Sequence, residues 1–149
     1  RTIDYYRGRT SHGSTLSKTV FASVVHHLDC EEGRRLFQEA LRADVEDVQG
    51  GTTREGIHLG AMAGTVAIVL RRYLGVELTP EGVVLAPEMP SRLRRIRCRV
   101  HWRGRWLDLE LEPGVLRVTT DRDLPEPVPV RIDGEWREIG PGETTEVAL

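Results

Sequence analysis

Apolar residues recur at helical spacing up to about Glu77 and at every second position beyond it. A chain that changes its hydrophobic period once, from 3.6 to 2, segregates its helices from its strands. In the first half Val20, Phe21, Val24, Val25 and Leu28 fall at i, i+1, i+4, i+5 and i+8 and predict one apolar face of a helix from about Leu16 to Leu28. Asp29 and Glu32 have capping-box spacing, and the stripe Leu36, Phe37, Ala40 and Leu41 predicts a second helix behind them. A third, about Leu59 to Leu74, is apolar nearly all round and carries Gly60, Ala61, Ala63, Gly64 and Ala67. That composition predicts a buried helix whose glycines let neighbouring backbones come close. Arg71 and Arg72 suit its C-terminal dipole, and Gly75 suits the residue just past its end.

The second half predicts one hairpin pair by pair. A two-residue turn at Arg103-Gly104 sets Ile96, Cys98 and Val100 opposite Leu111, Leu109 and Leu107. The same register sets Arg95, Arg97 and Arg99 opposite Glu112, Glu110 and Asp108. One face is then apolar and the other a ladder of opposite charges, each pair contributing about 0.2–1 kcal/mol. Turn signals at Pro113-Gly114, Asp133-Gly134 and Pro141-Gly142 bound further strands at Val115 to Thr119, Val128 to Ile132, Glu135 to Ile139 and Glu143 to Val147. Regular short strands of this kind predict a β-sandwich.

The register also removes a nucleic-acid reading of Arg92 to Arg105, because most of these arginines are partners of carboxylates and the net charge is only −2. His26, His27 and His101 lack a carboxylate or cysteine at metal-ligand spacing, so no metal is expected. Cys30 and Cys98 belong to no disulfide or zinc pattern. The run Leu59 to Leu70 is too short to span a bilayer and no signal-peptide pattern opens the chain, so a cytoplasmic protein without a membrane partner is expected. The 149 residues begin at Arg1 within what reads as structured sequence, and more than one helix is too apolar to stand without further partners, so a piece of a longer protein is expected.

Two segments could carry chemistry. RTSHGSTLS, Arg9 to Ser17, places hydroxyls, a histidine and a glycine at the mouth of the first helix. Unpaired N–H groups and the positive dipole end would suit an anion there, yet Ser14 or Thr15 acting only as a cap explains the same residues. VQGGTTREGIHLGAMAG, Val48 to Gly64, is a glycine-dense loop decorated by Thr52, Thr53, Glu55 and His58 that feeds the third helix. It is either a place to present side chains to a ligand or a helix link capped by Thr52 or Thr53.

Taken jointly, YYRGRTSHGSTLS and DVQGGTTREGIHLGAMAGT resemble the C-terminal end of the family 65 glycoside hydrolases, which include trehalose, maltose, kojibiose and nigerose phosphorylases and some acid trehalases. The resemblance runs on through LAPEMPSRLRRIRCRVHWRGRWLDLEL and VPVRIDGEWREIGPGETTEV. It implies an α+β chain: the terminal helices of an (α/α)6 barrel over residues 1–77, followed by a small antiparallel β-sandwich over 78–149.

The resemblance also implies an activity. In such phosphorylases inorganic phosphate, the co-substrate, attacks the anomeric carbon of an α-glucosidic disaccharide with inversion to give β-glucose 1-phosphate. In related hydrolases a carboxylate and water take its place. By resemblance His12, Gly13, Ser14, Thr15 and His58 are the phosphate-binding positions, and Glu55 orients them or serves as base in a hydrolase. The general acid is expected upstream of Arg1, and Asp4, Asp44, Glu46 and Asp47 read as helix-end or surface charges. The chain alone is therefore expected to be inactive, and its partners are the disaccharide, phosphate and the rest of the barrel. Family relatives are often dimers, which makes a homodimer an expectation too. No organic or metal cofactor is expected. The alternative from another class is a non-catalytic stabilising or sugar-binding module, with Trp102, Trp106 and Trp136 as its stacking residues, although Trp102 falls on the apolar hairpin face.

Overall fold

The computed structural model describes residues 2–47 and 50–149. Val48 and Gln49 of the second loop segment therefore lie outside the described residues. The chain divides into two compact units, Arg1–Arg72 and Tyr73–Leu149. No described helix is long and apolar enough to cross a membrane.

The first unit holds α1 (Thr2–Arg7), α2 (Thr15–Val25), α3 (Cys30–Arg42), a 3-10 turn (Thr52–Glu55) and α4 (Leu59–Ile68), which runs on into a π-turn, Val69–Tyr73. Asp29 caps α3 as its spacing predicts, its Oδ1 accepting from the Glu32 N–H at 3.0 Å. Asp29 must be extended to do so, which helps to end α2 at Val25 instead of Leu28. α3 runs antiparallel to α2: Gly33 near its start lies against His26, and Glu39 near its end meets Lys18 at 2.9 Å. α4 runs parallel to α2, because Gly64 meets Thr19 while Arg72, beyond its end, donates to Ser23 Oγ at 3.0 Å and contacts His27. The starts of α2 and α4 thus lie at the same end of the pair.

The buried face of α2 is not the one its apolar pattern predicts. Thr15, Thr19, Ala22 and Val25 are buried, whereas Leu16, Val20, Val24 and Leu28 are exposed. The small residues win because α3 and α4 approach on that side at Gly33 and Gly64, closer than large side chains permit. Part of the uncovered apolar stripe lines a groove beside α1 with Ile3, Tyr6 and Phe21. On α3, Leu36 and Ala40 are buried as expected while Leu41 is exposed. The close approach expected at the glycines of α4 occurs at Gly64 and not at Gly60, which has open space in front of it.

The second unit carries β1 (Val76–Leu78), β2 (Val83–Leu85), β3 (Ile96–Trp102), β4 (Arg105–Glu112), β5 (Val115–Thr120), β6 (Val128–Ile132), β7 (Glu135–Ile139) and β8 (Thr144–Ala148). They form two four-stranded sheets, β1-β2-β6-β7 and β3-β4-β5-β8. The β3–β4 register matches the predicted one at every position from Ile96↔Leu111 to Val100↔Leu107. Arg103 and Gly104 both have positive φ, 48° and 79°, the primed turn a two-residue hairpin favours. The charged face widens into a network: Glu110 takes Arg95 and Arg97, and Arg117 bridges Glu112 and Glu146 at 2.6 Å each. The core between the sheets is built from Leu107, Leu109, Leu111, Leu116 and Val118 on one side and Val83, Leu85, Val128, Val130, Ile132 and Ile139 on the other.

All strand pairs are antiparallel except β2–β6. These two are separated by three strands of the other sheet, and such a long connection allows a parallel pairing that a hairpin turn cannot make. Trp102 is buried and its Nε1–H donates to Thr79 O at 2.8 Å. Trp106 and Trp136 are exposed but stand on different sheets, so the three tryptophans form no common platform.

Candidate anion-binding site

The first segment is a loop between α1 and α2. Arg9 and Thr10 donate their N–H groups to Tyr6 O at 2.9 and 3.0 Å, closing α1. His12 follows with a φ of 49°, and its Nδ1 lies 2.9 Å from Ser17 Oγ with the ring edge-on to Phe21. Ser14 is the N-cap of α2: its backbone is extended and its Oγ accepts from the Leu16 N–H at 3.3 Å. Gly13 is exposed, with only Ser11 Oγ, 3.8 Å away, near the place a β-carbon would take. Thr15 is buried, only 6% exposed, so the structure offers little of it to solution.

The second segment is organised by Asp47. Its carboxylate accepts from the Gly51 N–H at 2.7 and 2.8 Å and from the Thr53 N–H at 3.3 Å, doing the work expected of a threonine cap. Gly50, Gly51 and Gly56 all have positive φ, which lets the loop turn tightly around the 3-10 turn. His58 ends the loop as the N-cap of α4 and makes no side-chain cap bond to that helix.

The His58 side chain is held by Asp44 instead. The ring Nδ1 lies 2.5 Å from Asp44 Oδ1 and the His58 backbone N–H donates to Asp44 Oδ2 at 2.9 Å. On the far side of the ring, Nε2 lies 3.5 Å from Glu55 Oε2. The side chains of Asp44, His58 and Glu55 are 8%, 24% and 70% exposed, a gradient from interior to solvent. The hydrogen bond from His58 holds the Asp44 carboxyl below its usual range, and the same bond raises the His58 imidazolium above its own. An ionised Asp44 can only accept, so Nδ1 bears a proton and Nε2 is the atom presented outward.

The structure therefore brings Glu55 and His58 together and sets His12 with Ser14 at the start of the parallel helix α2. Asp44, expected to be a helix-end or surface charge, does follow the end of α3, but its side chain is nearly buried and is the partner of His58. Its link spans 14 residues across a glycine-rich loop, so no local spacing in the sequence marks it.

Residues 1–67 match the model of the glycosyl hydrolase family 65 central catalytic domain, and residues 76–136 match that of the family 65 C-terminal domain. The chain belongs to glycosyl hydrolase family 65. This family 65 chain is 39% identical over 146 residues to an uncharacterised glycosyl hydrolase of Mycobacterium tuberculosis, a match covering 98% of the chain and 11% of that protein. It is 35% identical to the trehalose 6-phosphate phosphorylase of Lactococcus lactis, over 81% of the chain and 16% of the relative. A solved structure from the human microbiome, assigned as a kojibiose phosphorylase, shares the fold with a TM-score of 0.82 at 19% identity, over 99% of this chain and 19% of that one. The chain thus spans less than a fifth of the length of each of these proteins.

Proposed function

We propose that the helical unit supplies the phosphate-side loops of an inverting phosphorylase acting on an α-glucosidic disaccharide of the trehalose, maltose or kojibiose type. Phosphate is the co-substrate and β-glucose 1-phosphate the product. On this reading residues 1–77 are the C-terminal portion of the barrel catalytic domain and 78–149 its β-sandwich companion. The carrying observation is that two parallel helices start at the same end, one capped by Ser14 behind His12, the other headed by His58 with Nε2 outward. Each start presents a positive dipole end, and His58 adds a cationic imidazole favoured by Asp44. Phosphorylases among the similar proteins support the same reaction class.

In the reaction, His12, Gly13, Ser14, Thr15 and His58 would bind and orient phosphate on the face opposite the leaving group, as inversion requires. The leaving oxygen would take its proton from a glutamic acid outside this chain, so the chain alone would not turn over substrate. The test uses the full-length polypeptide carrying this chain: turnover of the disaccharide that requires phosphate and releases glucose 1-phosphate supports the reading. Turnover indifferent to phosphate would instead assign the site to a hydrolase, a reading favoured by the exposed Glu55 carboxylate beside His58.

A further inference from the structure

We propose that Asp44 is a positioning residue of this site: it takes the Nδ1–H of His58 and fixes its ring, so that Nε2, protonated in the imidazolium, is the atom offered to phosphate. The inference rests on the phosphate-side reading of the site. The geometry is two-pronged. One carboxylate oxygen takes the ring Nδ1–H and the other takes the backbone N–H of the same residue, so a single side chain sets both where His58 stands and how its ring is turned. A backbone contact alone would leave the ring free to rotate. A ring contact alone would leave the start of α4 unanchored.

Asp44 is suited to this by where the chain places it. It follows α3 directly in the turn Ala43–Asp44–Val45, where Val45 and Glu46 both donate to Arg42 O at 2.9 Å, so its backbone is tied to the helix end. α3 runs antiparallel to α2 and ends beside the start of α4, which carries a carboxylate tied to a helix end to the residue that closes the glycine-rich loop. The groups on His58 are Asp44 from the end of α3 and Glu55 from the 3-10 turn, and both are acidic. The nearly buried one cannot follow the ligand, whereas the exposed one can swing away from Nε2 when an anion arrives. Orientation and charge of the ring therefore come from Asp44, and access to it is left to Glu55.

The test is kinetic and spectroscopic, on the full-length polypeptide. Asp44→Asn keeps the shape and one acceptor but removes the charge and the second acceptor. It is expected to raise the KM for phosphate about tenfold or more, with the KM for the disaccharide little changed, as loss of a group that orients a ligand-binding histidine does elsewhere. The loss of phosphate affinity with rising pH, which follows deprotonation of His58, should begin at lower pH in Asp44→Asn than in the unsubstituted protein. His58→Gln is the control for the reading beneath. If His58→Gln raises the phosphate KM while Asp44→Asn changes neither KM nor pH profile, the positioning role is overturned and the phosphate reading stands. If His58→Gln leaves phosphate use intact, both fall. Should Asp44→Asn fail to fold, ring 15N spectra of the unsubstituted protein decide. Above the titration of His58, a neutral ring with its proton on Nδ1 supports the proposal, and the neutral Nε2–H tautomer overturns it.

Discussion

Gly64 of α4 lies directly against Thr19 of α2: a β-carbon at Gly64 would stand 2.4 Å from Thr19 Cγ2. Thr19 is buried and β-branched, so it has little freedom to turn aside. Gly64→Ala should cost about 1–3 kcal/mol of unfolding free energy through overpacking. Gly33→Ala should cost at least as much, since its β-carbon would meet the His26 Cα at 2.8 Å and backbone cannot rotate away. Gly60→Ala meets nothing within 4 Å and should be neutral or stabilising by up to about 1 kcal/mol through helix propensity. Denaturant midpoints of the three variants separate these outcomes. Similar losses for all three would show that close approach is not the cause.

Trp102 anchors the β3–β4 hairpin to the loop after β1 through its Nε1–H bond to Thr79 O. Trp102→Phe leaves that carbonyl without its donor and removes part of a packed ring, and should cost about 1–3 kcal/mol. Trp106→Phe, on the exposed face beside His101, should change stability by no more than about 0.5 kcal/mol. Guanidinium unfolding of the two variants, followed by circular dichroism, checks the contrast.

The Asp44–His58 pair makes stability depend on pH from both sides. His58 is raised in the folded protein, so its contribution is full below the unfolded histidine value and is lost as pH climbs through the folded one. Asp44 is lowered, so its contribution is full above the unfolded aspartate value and is lost as pH falls through the folded one. The pair should therefore stabilise most between the ordinary aspartate and histidine ranges. Thermal unfolding of the unsubstituted protein and of His58→Gln across pH 3 to 9 should show curves that lie furthest apart in that window (about 4 to 6.5 on reference values). Parallel curves would count against the pair.

Much of the fold was legible because one pattern had to satisfy two faces. In the β3–β4 hairpin only one register puts leucines opposite valine and isoleucine while putting carboxylates opposite arginines, and the structure adopts it. β1 and β2 carry no legible pattern because three residues are too few to show a period. α2 misled for a different reason: its large apolar residues face outward, and the packing is decided by glycines on α3 and α4 that no pattern within α2 reveals. Within the site, the neighbours Glu55 and His58 could be linked along the loop, but Asp44 could not, because its contact depends on how α3 ends beside α4.

The exposed stripe Leu16, Val20 and Val24 bears on how the two units hold up in the isolated chain. A helix covered on one side only opens at lower free energy than strands buried between two sheets. Amide exchange should therefore be slowest in β4 and β5 and faster throughout α2, with the dye binding expected of an apolar patch. Equal protection of α2 and β4 would refute this.

Glu55 separates the two chemistries that the site could serve. Its Oε2 lies 3.5 Å from His58 Nε2, the atom that phosphate would need, and the side chain is largely exposed. In a phosphorylase the Glu55 carboxylate competes with phosphate for the same N–H. Removing its charge with Glu55→Gln should then lower the phosphate KM, and an exposed ion pair of about 0.2–1 kcal/mol corresponds to about a 1.4- to fivefold fall. In a hydrolase the same carboxylate would draw the proton from the attacking water, and Glu55→Gln should cut turnover about 10²–10⁴-fold. The two expectations differ in sign as well as size. Measuring the KM for phosphate and the rate without phosphate in the full-length variant assigns Glu55, and with it the reaction, in a single experiment.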